Sequence, residues 1–414
     1  MGPRVLVVAD DLTGAADTGV TFVEAGATTW VIWDDAQHPD ADVLAISTES
    51  RHHTEEEAVR QVRSTLLHLL EQPGGTPLCW IYKKIDSTLR GHPGAELAAV
   101  MEILGASRVL VAPAFPAQGR ITHGGRHFVH GIPLAESDFG AEVPSSEIKS
   151  LVSGAIPSDA IHTLPLDLVR RGSQAIARAL LVHTGVSIAD AETDADLLAL
   201  AKAAVQSKVR LLCGSAGLAQ ALATTLADRE PWHHETPDSS SDHAGRGVLI
   251  VAASRHPSTL SQIAALGAAG VPIVRPPVHW FKGGDTGDVV SSLAQALETG
   301  AAVLTTAGLP DLPGQGDLLT ERLADAATAL LAAQRPVGLA LTGGDAAIAV
   351  SRATKARALH LHGAVATGIP WGTLVGGIAA GLPVVTKAGG FGGDDALVKI
   401  GQFLEEKFGQ NPAG

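Results

Sequence analysis

The feature that most constrains the fold is a pattern repeated along the chain: a short apolar run, a turn rich in Gly, Ser, Thr or Asp, then an Ala-rich amphipathic helix. Such a run, buried on both faces, suits a parallel strand, and the helix after it is the crossover a parallel sheet needs. In the first half the runs 5–9, 30–33, 43–46, 79–83, 108–112 and 209–213 are predicted strands. In the second half the runs are 248–252, 302–304, 338–341 and 383–385. Hydrophobic residues make up 45% of the chain and aromatics only 4%, so Ala, Val, Leu and Ile must fill closely packed α/β layers. The chain, 414 residues long, outgrows a single core, and the polar stretch 229–247 lacks apolar periodicity. The expected architecture is therefore α/β with two domains, 1–230 and 247–414, joined by a linker at 231–246. Each domain carries a mostly parallel sheet flanked by helices, and the active site is expected in the cleft between them.

Composition excludes several classes. Formal net charge is -13, from 43 acidic and 30 basic residues, and no basic run interleaved with aromatics suits a phosphodiester backbone, so no nucleic-acid partner is expected. Cys79 and Cys213 each sit in an apolar run and read as buried thiols of a reducing compartment. The first apolar run is too short for a secretory core, which predicts a cytoplasmic location. Residues 363–386 carry no charge, but Pro370, Pro383 and the Gly-rich stretch 372–381 argue for a short, closely packed helix and no membrane span.

The turn Asp10-Asp11-Leu12-Thr13-Gly14 follows the first strand and crowds carboxylates and a hydroxyl before a helix start. Backbone N–H groups there suit an anion, and Asp10 and Asp11 suit hydroxyls or a metal; alternatively Asp11 or Thr13 caps the helix. The loop Lys83-Lys84-Ile85-Asp86-Ser87-Thr88-Leu89-Arg90 sets three cations around one carboxylate. It either clamps a substrate carboxylate with Arg90 or Lys83 while Asp86 binds a hydroxyl or takes its proton, or pairs its charges internally. Gln118 and Arg120 end the next strand as further donors to a small polyol or acid. His123, His127 and His130 lie on turn and strand and lack the helical spacing of zinc ligands. The turn at Gly214-Ser215-Ala216-Gly217 is too common to assign.

Three loops of the second half repeat the theme: 253–258 with Ser254 and Arg255, Thr342-Gly343-Gly344-Asp345, and 387–394 with Lys387, Gly389, Gly390, Phe391 and Gly392. Glycines let backbone approach phosphate oxygens, Lys387 could neutralise them, and Asp345 or Asp394 could reach Mg2+. No Walker A sequence is present.

Taken together, Asp-Asp-x-Thr-Gly-Ala-x-Asp at 10–17, Lys-x-Asp-Ser-Thr-Leu-Arg-Gly at 84–91 and Pro-Ala-Phe-Pro-x-x-Gly-Arg at 113–120 resemble the four-carbon acid sugar kinase family. Gly214-Ser215-Ala216-Gly217, Gly343-Gly344-Asp345 and Lys387-x-Gly-Gly-Phe-Gly agree, so the resemblance spans nearly the whole chain. It implies an N-terminal domain for the sugar acid, a C-terminal domain for ATP, and phosphoryl transfer with Mg2+ to the terminal C4 hydroxyl. Asp10, Asp11, Lys84, Asp86, Ser87 and Arg90 would meet the acid, and Ser254, Gly343, Gly344 and Gly390 the nucleotide. Asp11 and Asp86 are both candidates for the base. The chain departs from the family with Ala252-Ala253 before Ser254, with Ala346 for a Thr and with Gly390 for an Asn. The run 254–259 looks closer to members acting on D-threonate or D-erythronate than to 3-oxo-tetronate kinases; L-threonate is a further family substrate. A homodimer is compatible with all of this. The rivals are a NAD-dependent dehydrogenase, disfavoured because no Gly-x-Gly-x-x-Gly follows a strand, and a small-molecule binding protein, which would leave the phosphate-like loops idle.

Overall fold

The computed structural model describes residues 3–34, 40–71, 80–232, 245–310 and 314–409. The chain divides into two compact units, Met1–Glu235 and Thr236–Gly414. Most of the expected linker, and Cys79, lie outside the described residues.

The first unit begins β1 (Val5–Ala9), α1 (Leu12–Glu24), β2 (Thr29–Ile32), β3 (Val43–Ser47), α2 (Glu55–Glu71), β4 (Trp80–Lys84), α3 (Pro93–Leu104) and β5 (Arg108–Ala112). A small antiparallel sheet follows, β6 (Arg120–His123), β7 (Arg126–Val129) and β8 (Ile132–Pro133). The unit continues with α4 (Ile148–Val152), β9 (Ile161–Leu164), α5 (Leu166–Val169), α6 (Ser173–Val182) and β10 (Gly185–Ala189). It closes with α7 (Asp194–Ser207), β11 (Leu211–Gly214) and α8 (Ala216–Ala227). Its main sheet runs β2-β3-β1-β4-β11-β5-β10-β9, all parallel. β1 and β3 are buried along their full length, as strands covered by helices on both faces must be. From β1 the chain crosses to β2, comes back to β3 beside β1, and then passes to β4 on the other side of β1. That reversal opens a crevice at the carboxyl ends of β1, β3 and β4.

The second unit contains β12 (Val248–Ala252), α9 (Pro257–Ala268), β13 (Ile273–Val274), α10 (Val278–Phe281), α11 (Gly287–Leu297), β14 (Ala301–Thr305) and α12 (Gly316–Ala333). Then come β15 (Gly338–Thr342), α13 (Gly344–Ala353), β16 (Ala358–Ala366), β17 (Ile369–Val375), β18 (Pro383–Lys387) and α14 (Ala396–Phe408). The order β13-β14-β12-β15-β18 is parallel, with β17 and β16 added antiparallel beyond β18. Val248, Ile250, Val303, Ala340 and Val385 of the sheet pack against Leu397, Ile400 and Leu404 of α14.

The α/β class and the parallel sheets match the expectation. The Gly-rich segment 372–381 does not form the expected helix: it completes β17 and then turns through Gly376 and Gly377, both at positive φ. Alternate residues of β17 are buried, the period of a strand, and small size served a tight turn and close strand contact. Among the described residues no helix is long and apolar enough to cross a membrane. At Gly377, where φ is +64°, a Cβ would also collide with the Thr354 carbonyl oxygen. Gly377→Ala should therefore cost about 1–3 kcal/mol of stability in denaturant unfolding.

Candidate active site

The turn after β1 carries two adjacent carboxylates, and one side chain holds both. Arg51, from the β3–α2 loop, donates from Nε to Asp10 Oδ2 at 2.8 Å and from Nη2 to Asp10 Oδ1 at 2.8 Å. It reaches Asp11 through Nη1 to Oδ2 at 2.6 Å and Nη2 to Oδ1 at 2.8 Å. Burial raises the Asp10 carboxyl, but the Arg51 guanidinium, with Lys83 and Lys84, outweighs burial and holds it below its usual value. Asp11 also caps α1, accepting from Gly14 N at 2.7 Å and from Thr13 Oγ1 at 2.7 Å. The capping alternative is thus realised, and the hydroxyl of Thr13 is engaged by its neighbour.

The loop after β4 is tied just as tightly. Asp86 accepts from Arg90 Nε at 2.8 Å, from Arg90 Nη2 at 3.2 Å, and from Thr88. Burial opposes ionisation of Asp86, yet Arg90, Arg51 and Lys84 hold its carboxyl well below the ordinary range. Leu89 at φ +59° and Gly91 at φ +81° let the loop close on itself. His127, buried in β7, bonds Ser87 O through Nε2 at 2.8 Å, with Nδ1 3.2 Å from Thr122 Oγ1. Burial lowers this imidazole to about 4, so it stays neutral near pH 7 and braces the loop. Arg120 bonds Gln118 through the main-chain carbonyl and, at 3.4 Å, the side-chain oxygen.

Lys83 is not available to clamp a substrate. It is fully buried and pairs with Glu96 of α3 at 2.7 Å, while Ser50 Oγ donates to Glu96 at 2.8 Å. Consecutive strand residues face opposite sides of a sheet, so Lys84 points to the α1 side, where a Cβ on Gly14 would lie 3.1 Å from its Nζ. Lys84 is 3% exposed, and its ammonium has no hydrogen-bond or ion-pair partner among the described residues. Of the three cations of this loop, Lys84 is the one without an ion pair among the described residues, since Arg90 pairs with Asp86 and Lys83 with Glu96. The sequence does not single out Arg51, although it lies in a polar loop after a predicted strand, as the other residues of this site do.

In the second unit the loops after β12, β15 and β18 come together. Side-chain positions at Gly343 and Gly389 would lie 3.4 and 3.1 Å from Ser254 Cβ, and one at Gly390 3.2 Å from His256 Nε2. Gly343 stands at φ +98° before α13, with its N–H on Lys387 O at 2.9 Å. It gives α13 no side-chain cap, so the first amides of the helix, from Gly344 and Asp345 on, keep the N-terminal positive pole. Thr342 is buried at the end of β15, and Arg255 donates to Leu309 O at 3.4 Å. Gln262 Nε2 ties down the carbonyls of Phe391, Gly392 and Gly393 at 3.0–3.2 Å. Lys387, expected to neutralise phosphate, instead donates to the carbonyls of Ala388, Gly389 and Phe391 at 2.9–3.2 Å. Burial brings its amine down to about 7. Among the described residues no cluster of three His, Cys, Asp or Glu side chains is placed to hold a metal, and His123 is instead paired with Glu192 at 2.9 Å.

Removing one member of a buried ion pair leaves a charge without compensation, whereas removing both does not. Lys83→Met should cost about 3–5 kcal/mol in denaturant unfolding, and adding Glu96→Leu should restore most of it.

Residues 5–222 match the sugar-binding N-terminal domain model, and residues 249–397 the nucleotide-binding C-terminal domain model. The chain is 33% identical to the D-threonate kinase of Salmonella typhimurium, over 98% of this chain and 99% of that one. It is 34% identical to the D-threonate kinase of Bordetella bronchiseptica, over 98% of each. Its fold is that of Haemophilus influenzae protein HI1011, with a TM-score of 0.71, 19% identity, and coverage of 96% of this chain and 99% of that one. The chain belongs to the four-carbon acid sugar kinase family, a family of phosphotransferases.

Proposed function

We propose that this protein transfers the terminal phosphoryl group of ATP to the C4 hydroxyl of a four-carbon sugar acid, with D-threonate the favoured acceptor and D-erythronate next. The observation that carries the reading is the buried Lys84 ammonium at the crevice of β1, β3 and β4, which has no hydrogen-bond or ion-pair partner among the described residues and lies beside carboxylates already fixed by arginines. A short polyhydroxy acid matches that inventory: its carboxylate suits Lys84 with Arg120 nearby, and its hydroxyls suit Asp10, Asp11, Asp86 and Ser87. Positioning of the acid, more than covalent chemistry, is what such a site contributes.

The second unit suits a triphosphate. Ser254, Thr342, Gly343, Gly344, Gly389, Gly390, Phe391 and Gly392 bring main chain and small side chains to one place, with the α13 N-terminus available to anionic oxygens. Lys387 shapes this loop from beneath, and Arg255 lies at its rim. Mg2+ fits the donor set as an ion held by one carboxylate, such as Asp345 or Asp394, plus phosphate oxygens and water. Bound there, it would neutralise charge on the phosphate chain.

The test is ADP release with ATP and Mg2+ against D- and L-threonate, D- and L-erythronate and a 3-oxo-tetronate. D-threonate should give the highest kcat/KM, by about tenfold or more, the size of one well-made polar contact. Turnover no greater than the acid-free background for every acid would refute the proposal, and a 3-oxo-tetronate winner would move the substrate.

A further inference from the structure

Four aspartates surround the crevice of the first unit, and they are not equivalent. Asp10, Asp11 and Asp86 each accept hydrogen bonds from a guanidinium. Asp17 does not: it lies on α1 one turn beyond Gly14, on the same face of the helix, 6% exposed, with no hydrogen-bond or ion-pair partner among the described residues. The scaffold holds Lys84 close enough to Asp17 for the two charges to act on each other, without an ion pair between them.

We infer that Asp17 is the proton acceptor of the transfer reaction, a role that rests on the kinase reading above. As the substrate hydroxyl oxygen bonds to the terminal phosphorus of ATP, the phosphorus–oxygen bond to ADP breaks and its electron pair leaves with ADP. The hydroxyl proton passes to an Asp17 oxygen. Asp10 and Asp86, whose carboxyls the neighbouring cations hold low, and Asp11, whose oxygens are taken by Arg51, bind and orient.

The electrostatics agree. Burial raises the Asp17 carboxyl to about 6; Lys84 and Arg120 lower it, and Asp11 and Asp86 raise it further. Tyr82 also faces Asp17 from β4, and Asp10 closes the end of β1. β1, β2, β3 and α8, the other elements packed on α1, carry no titratable residue within their spans. A base with a pKa near the working pH is the efficient one. Because the folded value lies above the unfolded one, the charged form weakens the fold above pH 6, and this cost fades as pH falls toward 4.

The experiment compares wild type with Asp17→Asn, using whichever acid the substrate panel selects. Turnover should fall by about 10²- to 10⁴-fold with KM for the acid nearly unchanged, and the acidic limb of the wild-type pH profile, with a midpoint near 6, should vanish. The variant should melt no lower than wild type at pH 7.5, since it removes a buried charge without a partner. Carbon-13 detection of aspartate carboxyls should show a titration near pH 6 that the variant lacks. A variant that keeps turnover within about fivefold of wild type, a small part of what a general base contributes, would overturn the proposal. So would a variant that melts lower, or wild type without that titration. Absence of turnover in wild type with every acid would count against the substrate reading, and the melting and titration arms would still decide the state of Asp17.

Discussion

The Arg51 fork across Asp10 and Asp11 is the interaction on which the candidate site of the first unit depends. Two adjacent carboxylates at a strand end repel each other and resist burial, and without a shared cation one would protonate or swing away. One planar guanidinium satisfies all four oxygens, a geometry that an ammonium cannot supply. Taking three charges out of water is costly, so this arrangement is better understood as setting geometry than as adding stability. With Asp11 fixed, α1 starts where its cap requires, and Gly14 and Asp17 are set against Lys84.

The same logic of charges neutralised in pairs runs through the unit. Lys83 and Lys84 are neighbours in β4, and the strand alternation sends one to Glu96 and the other to the crevice. Arg90 is absorbed by Asp86 within one loop. Lys84 and Asp17 are the ammonium and the carboxylate of this crevice that form no ion pair among the described residues. Charges left so are costly to the fold and useful to a ligand. In the second unit Lys387 is the counterexample: its amine is consumed by loop carbonyls, so it supports the glycine loop and the backbone amides carry the positive potential.

Much of this was legible in the sequence. Val5–Ala9, Val43–Ser47, Arg108–Ala112 and Val248–Ala252 are apolar runs that announce buried parallel strands, and the polar turns after them fall at the carboxyl ends of the strands within each unit. Edge and antiparallel strands were harder to see. β9 reads Ile-His-Thr-Leu, and β17 contains Pro and Gly, so neither shows a continuous apolar run. Among site residues, Asp10, Asp11, Lys84 and Asp86 stood out by crowding, whereas Arg51 is a single cation whose partners lie 40 residues away. Lys83 and Lys84 could have been separated by strand alternation, but which of the two faced the crevice depended on Glu96, a helix residue whose contact is not local.

The central claim is that Lys84, without an ion-pair partner among the described residues, receives an anionic ligand, and calorimetric titration with D-threonate in the absence of nucleotide tests it most directly. For Lys84→Met the account predicts binding weaker by about 10- to 100-fold, the loss of one charge-assisted hydrogen bond, with folding preserved. Unchanged affinity in a folded Lys84→Met protein would contradict it.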